Sequence, residues 1–298
     1  MCSTSMGDCV RRSIFHLVAA ILLVAAALPA GAAEIRRTGA DELRYVGYAQ
    51  LVFEGEIAPG DYDRLLRLID ESCAGIYGCL NGIFLASPGG NLFEAMKIGR
   101  LVRKLRLETH LPSDLPPPDR QRAEATLKNA NANYGCLSAC FFIFVAGADR
   151  ESGGVPILGI HRPSFLGDDL NNSHRMSGNQ AAASAGQLRM VVGDYLKEMG
   201  VPTKYADLMF AVPNDRLRFI GGNDFAKDLA GYIPELRAWL DVKCNNLTDG
   251  REKRGGKLPL DDEPMSRLLP EKRIQQSECR AQQASTLREA AWKQLLGH

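Results

Sequence analysis

Apolar and polar positions alternate along residues 44–58, from Tyr45-Val46-Gly47-Tyr48 through Leu51-Val52-Phe53, which predicts a strand that Glu54-Gly55-Glu56 turns out. At Asp61 the period becomes helical, with Leu65, Leu66 and Ile69 on one face. Gly82-Ile83-Phe84-Leu85-Ala86 has the length of a strand buried on both faces. It ends at Ser87-Pro88-Gly89-Gly90, and Asn91 is a suitable N-cap for a helix whose core stripe is Leu92, Met96, Gly99 and Val102. Leu105 to Leu111 alternates again and predicts another strand.

The pattern then breaks. Residues 112–134 hold four prolines and the run Asn-Ala-Asn-Ala-Asn, and are expected to be an insertion, as a loop or a short helix on a loop. Cys136-Leu137-Ser138-Ala139-Cys140 opens the apolar segment Phe141 to Val145, which Gly147 closes. A strand is predicted from Val155 to His161, a polar surface excursion over 165–181, and helices over 182–199 and 203–210. The charged remainder, 243–298, has one late amphipathic stretch (Leu287, Ala291, Trp292, Leu295) and is expected to be a tail with a peripheral helix. Strands alternating with helices make the class α/β.

The first segment stands apart from this pattern. Arg11-Arg12, an apolar run from Ile14 to Leu28 and the exit Ala30-Gly31-Ala32-Ala33 form an n-region, an h-region and an A-x-A-like site. The predicted division is therefore 1–33 as a signal peptide, 34–242 as the α/β domain with the 112–134 insertion, and 243–298 as the tail. The expected location is periplasmic or secreted; the alternative is membrane anchoring by an uncleaved signal.

The chain has 298 residues, 45% of them apolar and 24% charged, with a formal net charge of +1. Such a balance argues against a broad nucleic-acid surface. Of eight cysteines, Cys2 and Cys9 fall in the signal; Cys73, Cys79, Cys136, Cys140, Cys244 and Cys279 remain. An even number in an oxidising compartment favours disulfides, with Cys73–Cys79 as a local loop and Cys244–Cys279 as a tie for the tail. Paired C-x-x-C spacing and convenient histidines are lacking, so no metal is expected, and no cofactor.

Ser138 carries the candidate chemistry. A serine at a strand-to-helix junction offers a hydroxyl beside the next residue's backbone N–H, which can face a developing oxyanion. Cys136 and Cys140 flank it, and bonded to other segments they would brace its turn. Gly89-Gly90 occupies a second such junction, where the missing side chain admits substrate to the backbone. His161 ends a strand. Each feature alone is commonplace, since a serine there is usually an N-cap and a lone histidine usually a core residue.

Taken in order, Ser87-Pro88-Gly89-Gly90 before a helix, Ser138 opening a helix that ends Ala146-Gly147, and Ile160-His161-Arg162-Pro163 resemble the proteolytic subunit of Clp protease. The Cys-x-Ser-Ala-Cys motif is similar to that of a periplasmic, Clp-protease-like group of exported proteins. This resemblance to the Clp protease/crotonase superfamily spans residues 45–235 and implies a ββα spiral. It also implies a serine hydrolase acting on peptides or other acyl substrates, with Ser138 as nucleophile, His161 as base, and the N–H groups of Gly90 and Ala139 as oxyanion hole. The residue that orients His161 would come from Pro213-Asn214-Asp215, with Asp215 as candidate. Homo-oligomers follow from the same resemblance. An ATP-dependent unfoldase is not expected as partner, because ATP is scarce outside the cytoplasm. The alternative is a catalytically inactive member of the fold, acting as a binding or assembly module.

Overall fold

The computed structural model describes residues 33–39, 50–73, 80–111, 135–152, 156–163, 178–244 and 263–297. The predicted signal peptide up to Ala32, the 112–134 insertion, most of the 165–181 excursion and the Cys73–Cys79 pairing lie outside the described residues or side chains. Residues Ala33–His298 form one compact unit.

The elements follow in order: β1 Glu34–Arg37, β2 Leu51–Glu54, α1 Asp61–Cys73, β3 Gly82–Ala86, α2 Leu92–Lys104 and β4 Glu108–Leu111. After these come β5 Cys136–Leu137, α3 Cys140–Phe144, β6 Arg150–Ser152, β7 Leu158–Ile160, α4 Gly178–Glu198, α5 Lys204–Ala211 and β8 Arg218–Phe219. A short α6, Gly222–Asp224, runs into a π turn at Phe225–Leu229, and α7 Pro234–Cys244 and α8 Glu263–Leu296 complete the chain.

One sheet has the order β1-β2-β3-β4-β6, parallel except for β1. A second has the order β5-β7-β8, with β5 and β7 parallel and β8 antiparallel. Parallel pairing requires crossovers, and α1 and α2 supply them on either side of β3. The protein is therefore α/β, as its pattern predicts. The two sheets meet where β3 runs out: Ser87 forms a bridge with Cys136, and Gly90 forms one with Ile57. The Ser87-Pro88-Gly89-Gly90 turn thus connects both sheets.

Asn91 caps α2 as its side chain suggests, with Oδ1 accepting the Glu94 N–H at 2.9 Å. Glu94 is buried and its Oε1 accepts the N–H groups of Gly60 and Tyr62, which ties the start of α1 to the first turn of α2. Two predicted strands are shorter than the pattern suggests. Leu105 and Arg106 finish α2, with Arg106 in the left-handed region at φ 54°, so β4 begins at Glu108. Likewise β7 covers only Leu158–Ile160 of the predicted 155–161 stretch.

The tail is not peripheral. Trp292 is 2% exposed and belongs to the main core, and its Nε1–H donates to the Leu105 carbonyl at 2.9 Å, where α2 ends. Arg288 is buried as well, donating to the Asn81 carbonyl and pairing with Glu108 at 2.9 Å. The predicted boundary after 242 falls inside α7, and the Cys244–Cys279 disulfide joins α7 to α8 as anticipated. Among the described residues, no helix is long and apolar enough to cross a membrane.

Candidate active site

Ser138 lies in the two-residue turn between β5 and α3. Its φ of 54° places it in the left-handed region, which a serine enters only at a cost of about 1–3 kcal/mol. Three connections hold it there. The Ser138 N–H donates to the Gly159 carbonyl at 2.8 Å, and its own carbonyl accepts from Phe141 at 3.1 Å. The third is covalent, because Cys136 and Cys140 are bonded to each other across the serine. The two cysteines thus brace the turn without reaching other segments, by closing a five-residue loop around it. Both are fully buried, whereas Ser138 is half-exposed. A sharp turn of this kind presents Oγ outward from a buried base.

The helix behind Ser138 is shorter than the apolar run suggests. It covers only Cys140–Phe144, so its macrodipole adds little, and what remains is the individual N–H groups. Its carbonyl end is fully satisfied. Tyr195 donates to Phe142 O, Thr109 to Phe144 O, and Arg103 to the carbonyls of Val145 and Ala146 while also reaching Met199 O beyond α4. Burial holds the Arg103 guanidinium below its ordinary pKa. Phe141, Phe142, Ile143 and Phe144 all lie in the core, so the segment that carries the serine is anchored along its whole length.

Gly89 lies directly beside this turn, and Gly90 follows it against Ile57. A Cβ on Gly89 would come within 2.6 Å of Ser138 Cβ and 3.1 Å of the Ala139 nitrogen. A Cβ on Gly90 would meet the Ile57 carbonyl at 2.3 Å. Both have positive φ, at 109° and 130°, which glycine adopts without strain. The Gly89 carbonyl accepts from Ile57, and Asn91 donates to the Ile57 carbonyl, which leaves the Gly90 N–H outside this pairing. Among the described residues, neither the Gly90 nor the Ala139 N–H donates a hydrogen bond.

His161 follows β7 directly, and Ser138 follows β5. These strands are parallel, with Leu137 level with Gly159, so both residues leave the same, C-terminal edge of the smaller sheet. Clefts at such edges are the usual ligand sites of parallel sheets. The His161 ring is half-buried, and its Nδ1 lies 2.9 Å from the Arg162 carbonyl. A carbonyl can only accept, so Nδ1 carries the proton and Nε2 presents its lone pair. Burial lowers the ring's pKa below its ordinary value near 6.5, only partly offset by that hydrogen bond. Asp215 is exposed and is not the partner of this ring nitrogen. The orienting position expected of it is filled by Arg162, whose N–H is held by the Val212 carbonyl at 2.9 Å and whose Nε donates to Phe210 O.

Two parts of this arrangement escape the sequence. A backbone carbonyl has no residue signature, so the Arg162 contact cannot be read from side-chain types. The Cys136–Cys140 bond does leave a trace, because two cysteines bracket one serine at equal distance. Among the described residues, no group of histidines, cysteines and carboxylates could hold a metal ion.

The fold and this site define an α/β protein that places a serine turn, a glycine pair and a histidine at one sheet edge. No family model matches the chain, and no curated protein does. Among solved structures it is similar to one described as a mutant of the 1510-N membrane-bound stomatin-specific protease. The two share 14% identity with a TM-score of 0.36, over 64% of this chain and 81% of that one.

Proposed function

We propose that this protein is an exported serine hydrolase of the Clp-protease/crotonase fold, acting on peptides. The observation that carries the reading is Ser138, held in the left-handed region by a disulfide across its own turn, with free N–H groups beside it and His161 at the same sheet edge. In this reading Ser138 Oγ attacks the scissile carbonyl while its proton passes to His161 Nε2. The negative charge that develops on the carbonyl oxygen is met by the N–H groups of Gly90 and Ala139. His161 then returns the proton to the departing amine, and water repeats the sequence on the acyl-enzyme. Arg162 O fixes the tautomer, the task an aspartate performs in a triad. It cannot stabilise the imidazolium as a carboxylate would, so turnover is slower than a full triad gives.

Export is supported by the basic and apolar segment ending Ala30-Gly31-Ala32-Ala33, and by two disulfides of the kind that persist in oxidising compartments.

The pH profile tests the histidine's role. A neutral His161 is required, and burial lowers its pKa from the ordinary value, so kcat/KM should rise with pH through an apparent pKa below that of a free imidazole. Asp215→Asn should leave kcat/KM within about twofold, since Asp215 does not touch the ring. A profile whose lower limb sits well above pH 7, or a large loss in Asp215→Asn, would restore a carboxylate partner and reject the dyad.

A further inference from the structure

A peptide flanked by two glycines turns over easily, because no Cβ on either side opposes the rotation. The Gly89–Gly90 peptide is of this kind, and its plane sets the direction of the Gly90 N–H. The chain from Ala86 to Asn91 has neighbours along both edges. On one edge lies the continuation of β2, where the Gly55 N–H donates to Ala86 O at 2.9 Å and the Ile57 N–H to Gly89 O at 2.7 Å. On the other lies β5, since the Ser87 N–H donates to Gly135 O at 2.7 Å and the Ser87 carbonyl accepts the Leu137 N–H at 2.9 Å. The Gly89 carbonyl thus points to the β2 edge. Across a trans peptide the N–H points the opposite way, so the Gly90 N–H is directed to the β5 edge, where Ser138 follows Leu137. The serine is near that edge, because a Cβ on Gly89 would come within 2.6 Å of its own Cβ.

One side chain grips this turn. Ser87 is fully buried, and its Oγ accepts the Gly89 N–H at 3.1 Å while its hydroxyl donates to Gly89 O at 3.3 Å. It therefore holds the peptides on both sides of Gly89, while its backbone holds the strand that leads to Ser138. We propose that Ser87 is a positioning residue, whose hydroxyl keeps the Gly89–Gly90 peptide turned so that the Gly90 N–H faces the oxygen of a carbonyl attacked by Ser138. Its effect on rate rests on the serine-hydrolase reading; the orientation itself does not. A donor that strengthens its bond only as charge develops on that oxygen favours the transition state over the bound substrate, so misplacing it lowers kcat and spares KM.

Two measurements test this role on the full-length protein. Hydrogen exchange, followed by NMR with isotope-labelled glycine, reads the orientation directly. The Gly89 amide should exchange at least tenfold more slowly than the Gly90 amide in the native protein, and should lose that protection in Ser87→Ala. In kinetics, Ser87→Ala should lower kcat for p-nitrophenyl acetate about tenfold and leave KM within about twofold. Inhibition by phenylboronic acid, which forms a tetrahedral adduct on a reactive serine, should weaken by a similar factor. Ser72→Ala is the control. It removes a similarly buried hydroxyl, bonded to Leu68 O within α1, and should lower the melting temperature without changing kcat or the inhibition. A native Gly89 amide that exchanges as fast as that of Gly90, or a kcat in Ser87→Ala equal to that in Ser72→Ala, would overturn the proposal. So would a loss confined to KM. If the native protein neither hydrolyses the ester nor binds the boronic acid, the hydrolase reading fails, and the exchange rates still decide whether Ser87 orients the peptide.

Discussion

Gly89→Ala is expected to lower kcat/KM by about 100-fold or more while the protein remains folded. The added methyl would sit 2.6 Å from Ser138 Cβ and 3.0 Å from the Leu137 carbonyl, on a backbone with φ 109°. Neither neighbour is a flexible side-chain end. The Ser138 turn is held by its disulfide and by Gly159, so the two junctions must move apart, and displacing catalytic groups by an ångström costs about that factor. Gly60→Ala separates this effect from backbone strain. Gly60 has φ 93° and nothing within 4 Å of its missing Cβ, so its alanine variant carries a similar conformational penalty without touching the serine turn. Thermal melts should show both variants weakened, but only Gly89→Ala inactive. Equal activity in the two would mean that the glycine turn does not position the serine.

Trp292→Ala is expected to destabilise the protein by about 3–5 kcal/mol, the range for removing a buried aromatic side chain. The indole is 2% exposed within the main core, and its loss also leaves the Leu105 carbonyl without its donor. Urea unfolding measures this directly. A loss below about 1 kcal/mol would show that α8 lies loosely on the surface, as its polar sequence suggests.

That contrast shows what the sequence can and cannot convey. The segment from Gly82 to Val102 was legible because each level agreed: a continuous apolar run for a buried parallel strand, a Pro-Gly-Gly turn, and an Asn that caps. The serine, glycine and histidine junctions were legible for the same reason. In α8, Trp292 sits in the apolar stretch that the pattern marks, but Arg288 has no such signal and is buried only because Glu108 and Asn81 O receive it. A single-chain pattern reads such an arginine as solvated. The strand β6, Arg150-Glu151-Ser152, has no apolar alternation at all; it forms because β4 and the Gly231 backbone complete its hydrogen bonds. The pairing of Cys136 with Cys140 depends on the chain folding back at Ser138, a left-handed turn that nothing in the residue type demands.

Covalent labelling reports on the nucleophile itself. A fluorophosphonate probe, followed by peptide mapping, should place a single adduct on Ser138 of the purified protein, with labelling lost in Ser138→Ala and much slower in His161→Ala. Absence of any adduct on the native protein, or one that persists unchanged in Ser138→Ala, would mean that Ser138 is not the nucleophile.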